Sequence, residues 1–520
     1  EINIGDWSSD VCSSDLVEIA LNINSGLTQD DAQNLPDLRD GVRTSVCIDA
    51  QRRAVITISQ LGFFKLLRLL DNGALDATFG TNGTVETRIY DRTGQRPLGL
   101  PASSEVIAID NQGKVVVAGS VVNTDREPPF DKTIDCVVAR YLYDGSPDPS
   151  FGKNGVARLR LNGYSFAFCG MAIDAENRII LGGGSKRNAN NFVQSCLIRV
   201  LSDGNLDLTF GDKGISVQSF SSDQHSGIVV YDLVQELRID SYGRIVIVGK
   251  SYVANFNYNP PQSQYYVVVA RYNANGRVDT TFGSKKSGLI SGRDRVGFLK
   301  FKVTTLPSEP LNGGGTGFVF DRNNRIILAG VIDYTTTLPI DNFMFVDRFD
   351  ESIIVRLSPQ GDIDRSFGLP GQNGMPNSRF LVSSSARGIT LDVREKILIA
   401  GDWRSIIIPN PFDDTTWYFD TGFILSRFSP DGVLDKTFGA EKTGQVITQL
   451  PTPFLVRSGG IALDASGRIF VLLLASVLVS TASNISKGIF SLFLESFLDF
   501  MKGFSTFFLS CSFVDIPSPV

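Results

Sequence analysis

The chain has 520 residues, 42% of them hydrophobic and 20% charged, which is enough apolar content to bury a large core. Its net charge of −6, with no Lys/Arg cluster, excludes a nucleic-acid-binding surface, and 50 glycines point to many tight turns rather than long helices. A single histidine, His225, removes most zinc sites and every triad that does not use it, while six cysteines without a CxxC make no disulfide framework.

Taken in chain order, Asp6 to Leu16 (DWSSDVCSSDL) carries no hydrophobic period of either kind and resembles the translation of a sequencing-library adapter. Residues 1–16 are therefore set apart from the fold. From 17 to 474 the chain repeats itself. One element reads CIDAQRRAVI, AIDNQGKVVVAG, AIDAENRIILGG, RIDSYGRIVIVG, VFDRNNRIILAG, TLDVREKILIAG and ALDASGRIFVLL, with aspartates at Asp49, Asp110, Asp174, Asp240, Asp321, Asp392 and Asp464. Two β-rich apolar runs flank a short polar turn in each, as a hairpin requires. Cys136 and Cys196 fall inside apolar runs, with Cys47 and Cys169 just before others, and read as buried free thiols.

A second element follows each of the first six copies: LRLLDNGALDATFG, ARYLYDGSPDPSFG, IRVLSDGNLDLTFG, ARYNANGRVDTTFG, VRLSPQGDIDRSFG and SRFSPDGVLDKTFG. Arg, Asp and Phe keep fixed spacing as Arg68, Asp76 and Phe79; Arg140, Asp148 and Phe151; Arg199, Asp207 and Phe210; Arg271, Asp279 and Phe282; Arg356, Asp364 and Phe367; and Arg427, Asp435 and Phe438. Each unit thus supplies four short strands, and no helical period competes. The expected fold is all-β: a β-propeller of four-stranded antiparallel blades, with six full repeats plus a partial seventh. The glycine of DG or NG permits the positive φ of a tight turn. The phenylalanine is expected to plug between neighbouring blades, and the Arg and Asp, eight positions apart across the turn, to pair or to bond turn backbone. Repetition in every blade marks these residues as structural, since a catalytic group would normally occur once.

These motifs resemble the delta-60 repeat family of bacterial proteins, over Cys47 to Leu474. The resemblance implies a propeller-like repeat in bacterial proteins that are often extracytoplasmic or surface-associated, and it implies no established activity. Two departures stand out. Gly119, Gly183, Gly249, Gly330 and Gly401 close the second strand of five copies where Ile58 and Leu473 stand in the other two, and the seventh copy lacks its DGxLDxxFG half. Closure by Val17 to Asn22 (VEIALN) pairing near the last blade is one expectation.

The turns after the first and third strands are short and uniform. The other two sets of connections vary in length and emerge together on one face, where binding residues are expected. Two insertions there are rich in aromatics. SYVANFNYNPPQSQYYV carries Tyr252, Phe256, Tyr258, Tyr265 and Tyr266. DWRSIIIPNPFDDTTWYFDTG carries Trp403, Phe412, Trp417 and Tyr418, with Asp413 and Asp414 as acceptors at the rim. Rings beside carboxylates suit stacking on a sugar or holding a peptide; packing of the loops onto the blade edge is the competing reading. Trp403, Phe412, Trp417 and Tyr418 are the expected ligand contacts. VIDYTTTLPIDNFMFVDRFDES repeats the flavour with Tyr334, Phe343 and Phe345, and His225 reads as a solvated loop residue.

Residues 475–520 form a hydrophobic tail that carries Glu495, Asp499 and Lys502; a frameshifted segment, a diverged blade and a membrane anchor all stay open for it. No cofactor and no metal site is expected, and no nucleic-acid partner. A glycan or a protein is the partner to look for, with a membrane only if the tail is a genuine anchor. The function expected is a noncatalytic binding or scaffolding propeller; an enzyme acting on a polysaccharide or small substrate is the alternative.

Overall fold

The computed structural model describes residues 44–477 apart from 61–62, 90–101, 123–133, 160, 162–163, 188–191, 221–227, 259–261, 284–296, 302–311, 341–342, 370–382, 405–407, 411–412, 419–420, 440, 451–453, 464–466 and 468. Among these residues there are 27 strands and no helix. The first unit is β1 (Thr44–Ile48), β2 (Ala54–Gln60), β3 (Phe63–Leu69) and β4 (Thr84–Arg88). The second is β5 (Ala102–Ile109), β6 (Val115–Val122), β7 (Ile134–Tyr141) and β8 (Val156–Leu159). Each is an antiparallel sheet whose strands lie in chain order.

The third unit, β9 (Tyr164–Ile173), β10 (Ile179–Arg187), β11 (Val193–Val200) and β12 (Ile215–Gln218), repeats this order. So does the fourth: β13 (Ile228–Ile239), β14 (Ile245–Asn255), β15 (Gln262–Tyr272) and β16 (Phe298–Phe301). A parallel bridge between Val193 and Tyr231 joins these two units. The fifth has β17 (Asn312–Phe320), β18 (Ile326–Ile340) and β19 (Phe343–Leu357). In the sixth, β20 (Ser383–Leu391) and β21 (Ile397–Arg404) are followed by a separate ribbon of β22 (Ile408–Asn410) and β23 (Asp413–Tyr418), after which β24 (Thr421–Phe428) and β25 (Gln445–Leu450) complete the sheet. The last pair is β26 (Phe454–Leu463) with β27 (Ile469–Val477).

The count of separate blades differs from expectation. Among the described residues, four sheets have four or more strands, rather than six full blades plus a partial seventh. The bridge at Tyr231 merges two units into one eight-stranded sheet, and the fifth shows three strands among the described residues. The first strands of successive units, β1, β5, β9, β13, β17, β20 and β26, each lie beside the next, and β26 lies beside β1. Val17 to Asn22 and the tail beyond 477 lie outside the described residues. No helix of the described residues is long and apolar enough to cross a membrane.

The core is a series of layers between sheets. In β6, Val115 and Val117 pack with Val55, Phe64 and Phe79 of the first unit, while Val116 and Ala118 pack with Leu181 and Ile198 of the third. Successive side chains point to opposite faces, and here both faces are covered. That is why the second strands read as continuous apolar runs instead of alternating ones. The same layering joins Leu197 to Ile247, Val248 to Leu328, Ile327 to Ile399, and Leu398 to Ile469.

The recurrent glycine of the second strand faces a β-bulge in the first. Gly119 pairs with Ser104, Gly249 with Val234 and Gly401 with Ala386, each beside a register shift. The bulge drives backbone toward the glycine, and a Cβ on Gly249 would fall 2.0 Å from the Leu233 carbonyl oxygen. Strands β1 and β2 pair without a shift, and Ile58 fits there. In the last pair, Leu473 sits opposite Ser458 beside a shift, which departs from the rule.

Candidate ligand-binding face and the inter-blade clamp

The six repeat signatures build one device. In each, Arg Nε donates to Asp Oδ2: at 2.8 Å for Arg68–Asp76 and Arg140–Asp148, 2.7 Å for Arg199–Asp207 and Arg271–Asp279, and 2.9 Å for Arg356–Asp364 and Arg427–Asp435. The guanidinium lies over the phenylalanine ring of its own unit, 4.4 to 4.9 Å from the centroids of Phe79, Phe151, Phe210, Phe282, Phe367 and Phe438. The same guanidinium then crosses to the next unit. Arg68 donates to the carbonyl of Tyr143, Arg199 to Ala274, Arg271 to Pro359 and Arg356 to Pro430.

Backbone completes the junction. The N–H of the FG glycine donates to the next turn, Gly80 to Asp144 at 2.7 Å, Gly211 to Asn275 at 2.8 Å and Gly368 to Asp431 at 2.7 Å. The phenylalanine abuts the glycine of that next turn. A Cβ on Gly276, whose φ is +81°, would lie 2.7 Å from the Phe210 ring, so the site requires glycine twice over, for backbone and for space. The phenylalanines thus stand between neighbouring units, and the Arg–Asp pair holds them there.

One member of the device was overlooked in the sequence. The residue two after the aspartate is Thr78, Ser150, Thr209, Thr281, Ser366 or Thr437, and both its hydroxyl and its N–H donate to Asp Oδ1. Its signal was present, a Ser or Thr directly before every FG phenylalanine. Burial by itself would raise these aspartates, but the Ser/Thr hydrogen bonds and the paired arginine outweigh it and hold all six carboxyls below the ordinary Asp value. Asp148 and Asp435 are held lowest because Lys114 and Lys396 add a second cation, each at 2.8 Å. Among the described residues, the aspartates of the first element from Asp49 to Asp392 cap their own turns. Asp240 Oδ1 accepts from the N–H groups of Tyr242 and Arg244, both at 2.9 Å, and Oδ2 pairs with Arg244.

Of the aromatic contacts expected in the sixth unit, the structure describes the side chain of Trp403 alone. Trp403 is on β21, not in a loop, and is buried, with its indole N–H donating to the Thr448 carbonyl at 3.2 Å. Trp417 and Tyr418 occupy β23, paired with Pro409 and Ile408, while Phe412 lies outside the described residues. Tyr334, Phe343 and Phe345 fall on the long β18–β19 hairpin, where Tyr334 pairs with Phe349, Phe343 with Ile340 and Phe345 with Leu338. His225 lies outside the described residues. Cys136 and Cys196 are buried, and burial pushes the Cys196 thiol up to about 12. Among the described residues no group of His, Cys, Asp or Glu could hold a metal ion.

The other insertion forms a platform. Among the described residues, β16 pairs with β15 as far as Val267, and β13, β14 and β15 continue beyond that point. On this extension Tyr231 pairs with Tyr252 and Tyr252 with Tyr265, one row across three strands. Their ring centroids are 6.1 Å and 4.6 Å apart, with planes tilted by 32° and 33°. Tyr231 is 40% exposed, and at the hairpin tip Phe256 and Tyr258 are 57% and 53% exposed.

The adjacent row, on the opposite face, is polar and locked. Asp232 pairs with Ser251, and Ser251 with Tyr266. Asp232 Oδ2 accepts from the Phe220 N–H at 2.8 Å and from the Ser219 hydroxyl at 2.9 Å. Lys300 donates to the Ser251 hydroxyl at 3.0 Å and to the Phe220 carbonyl at 3.2 Å, and its ammonium lies 4.3 Å from the Tyr266 ring centroid. Burial raises the Asp232 carboxyl above its ordinary value, against hydrogen bonds from Ser251, Phe220 and Ser219 and the charge of Lys300.

A family model described as "Domain of unknown function (DUF5122) beta-propeller" matches residues 176–210 and 243–282, which include the third and fourth signatures. The chain is a β-propeller. Its arrangement is similar to the GH93 alpha-L-arabinofuranosidase of Fusarium graminearum, at 10% identity and a TM-score of 0.37 over 74% of this chain and 91% of that one. It is also similar to Drosophila Semaphorin 1b, extracellular domains 1-2, at 8% identity and a TM-score of 0.32 over 78% and 83%. At these scores neither likeness bears on what the propeller binds. No curated protein matches the chain.

Proposed function

We propose that the chain is a noncatalytic binding or scaffolding propeller, six four-stranded blades and a partial seventh of delta-60 type, that holds its ligand on the variable-loop face. The carrying observation is a division of labour among its residues. The recurrent Arg, Asp, Ser/Thr and Phe are engaged within or between blades, while Tyr231, Phe256 and Tyr258 are exposed together on an extension of the fourth blade; the other exposed rings among the described residues, Tyr143 and Tyr242, lie against arginines in repeat turns. Large rings left open to water are a mark of an interaction surface. The ring of first strands, with β26 beside β1, supports a rigid scaffold for it.

The test is to pass the full chain over glycan and peptide arrays and to follow the bound ligand by mass spectrometry. Saturable retention of an unaltered ligand is expected. Release of cleaved sugars or peptides would refute the noncatalytic reading, and retention of nothing on either array would refute the binding one.

A further inference from the structure

We propose that the tyrosine row of the fourth blade, Tyr231, Tyr252 and Tyr265, is a platform for an uncharged polysaccharide chain. This rests on the binding reading above and names its site and ligand class. The first ground is geometry. The three rings are held in register across neighbouring strands and tilted by only 32° and 33° from one another, so they form a stepped face rather than an edge-to-face packed cluster. Such a face matches a chain of sugar rings, whose C–H groups carry partial positive charge and sit well on the negative face of an aromatic ring.

The second ground is charge. Residues 251–266, which carry two of the three tyrosines and the exposed tip, contain no Asp, Glu, Lys or Arg, but do contain three Asn, two Gln and two Ser. Gln264 and Ser263 are exposed beside Tyr265, and Asn257 is exposed between Phe256 and Tyr258. Neutral amides and hydroxyls around aromatic faces offer donors and acceptors for sugar hydroxyls. They offer nothing to neutralise a phosphate, a uronate or a charged peptide. Lys300 is buried on the opposite face, engaged with Ser251 and Phe220, while Lys250, two residues before Tyr252 on the same face of β14, lies on the side of the row away from the uncharged tip.

The third ground is rigidity. The row directly behind the tyrosines, Asp232, Ser251 and Tyr266, is pinned by Lys300 and by the Ser219 and Phe220 contacts. A face fixed before the ligand arrives loses little conformational entropy on binding.

The experiment is affinity electrophoresis of the full chain in gels containing hydroxyethyl cellulose, galactomannan or soluble starch, with alginate as polyanion and a polyasparagine-rich neutral peptide in competition. Retardation by a neutral polymer is expected, unaffected by the peptide. Loss of two stacking contacts in Tyr231→Ala/Tyr252→Ala should weaken it about ten-fold or more, while Tyr252→Phe, which keeps the ring, should hold within a few-fold. Phe256→Ser/Tyr258→Ser, confined to exposed positions, serves if the first variant loses its native circular dichroism. Undiminished retardation of both double variants would place the ligand elsewhere and overturn this inference while leaving the binding propeller standing. Retardation by alginate alone, or binding only to the peptide, would also overturn it. If nothing binds here or on the arrays, both readings fall.

Discussion

Replacing Arg199 by Ala removes the centre of one inter-blade junction, and the structure sets the scale of the damage. Arg199 and Asp207 are both buried, paired at 2.7 Å. The arginine also donates to Thr209 and, across the junction, to the Ala274 carbonyl, and it lies 4.9 Å from the Phe210 ring centroid. An exposed ion pair would contribute about 0–1 kcal/mol. Here the truncation strands a buried carboxylate and a backbone carbonyl, and breaking a buried pair from one side costs about 3–5 kcal/mol. That larger figure is the expected loss, and it should concentrate between the third and fourth blades. The assay is urea unfolding followed by circular dichroism, with hydrogen–deuterium exchange mapped by peptide. Exchange should accelerate at 199–211 and 273–279 and stay unchanged around Arg68 and Arg427. The double variant Arg199→Met/Asp207→Leu should recover most of the loss, because two apolar partners leave no charge stranded. A single variant as stable as the parent, or exchange that rises evenly around the ring, would refute the clamp.

Acid should dissolve the clamps together. All six aspartates are held below the unfolded Asp value of about 3.9, so their contribution is complete above that pH and is lost as pH falls towards their folded values. The unfolding midpoint should therefore drop steeply below about pH 4, and a flat profile from pH 6 to 2 would contradict it. Gly249→Ala should cost about 3 kcal/mol because its Cβ meets the Leu233 carbonyl at 2.0 Å, and Gly243→Ala, at φ +74° with nothing within 4 Å, about 1 kcal/mol; equal losses by urea unfolding would refute the bulge argument. Trp403→Ala should lower stability by about 3–5 kcal/mol and leave ligand retention unchanged, since the ring is buried against β25. Lost retention at unchanged stability would return Trp403 to the binding site.

Much of this was readable because the repeat is a device whose parts sit close together in sequence. Arg271 and Asp279 are eight residues apart across one turn, so spacing alone put them within reach of each other. Spacing did not disclose their partner in the next blade, Pro359, which is 88 residues away and joins only when sheets stack. The second-strand glycine was conspicuous too, but its cause, a bulge in the facing strand, lies across a pairing that no local pattern encodes. The same limit applies to Trp403. Scarcity and loop-like surroundings marked Trp403 for ligand contact, yet one residue of strand register places it inside the sheet with Thr448 as its acceptor. The tyrosines of the fourth blade passed as a diffuse cluster in an insertion, because Tyr231 sits 21 residues before Tyr252 and becomes its neighbour only through the β13–β14 register. A repeat repays structural reading in what it shares, and a site in where it departs. The fourth blade departs in a row of three tyrosines set on its lengthened strands over a buried Asp–Ser–Lys chain. That is why a search for what this propeller holds should begin there.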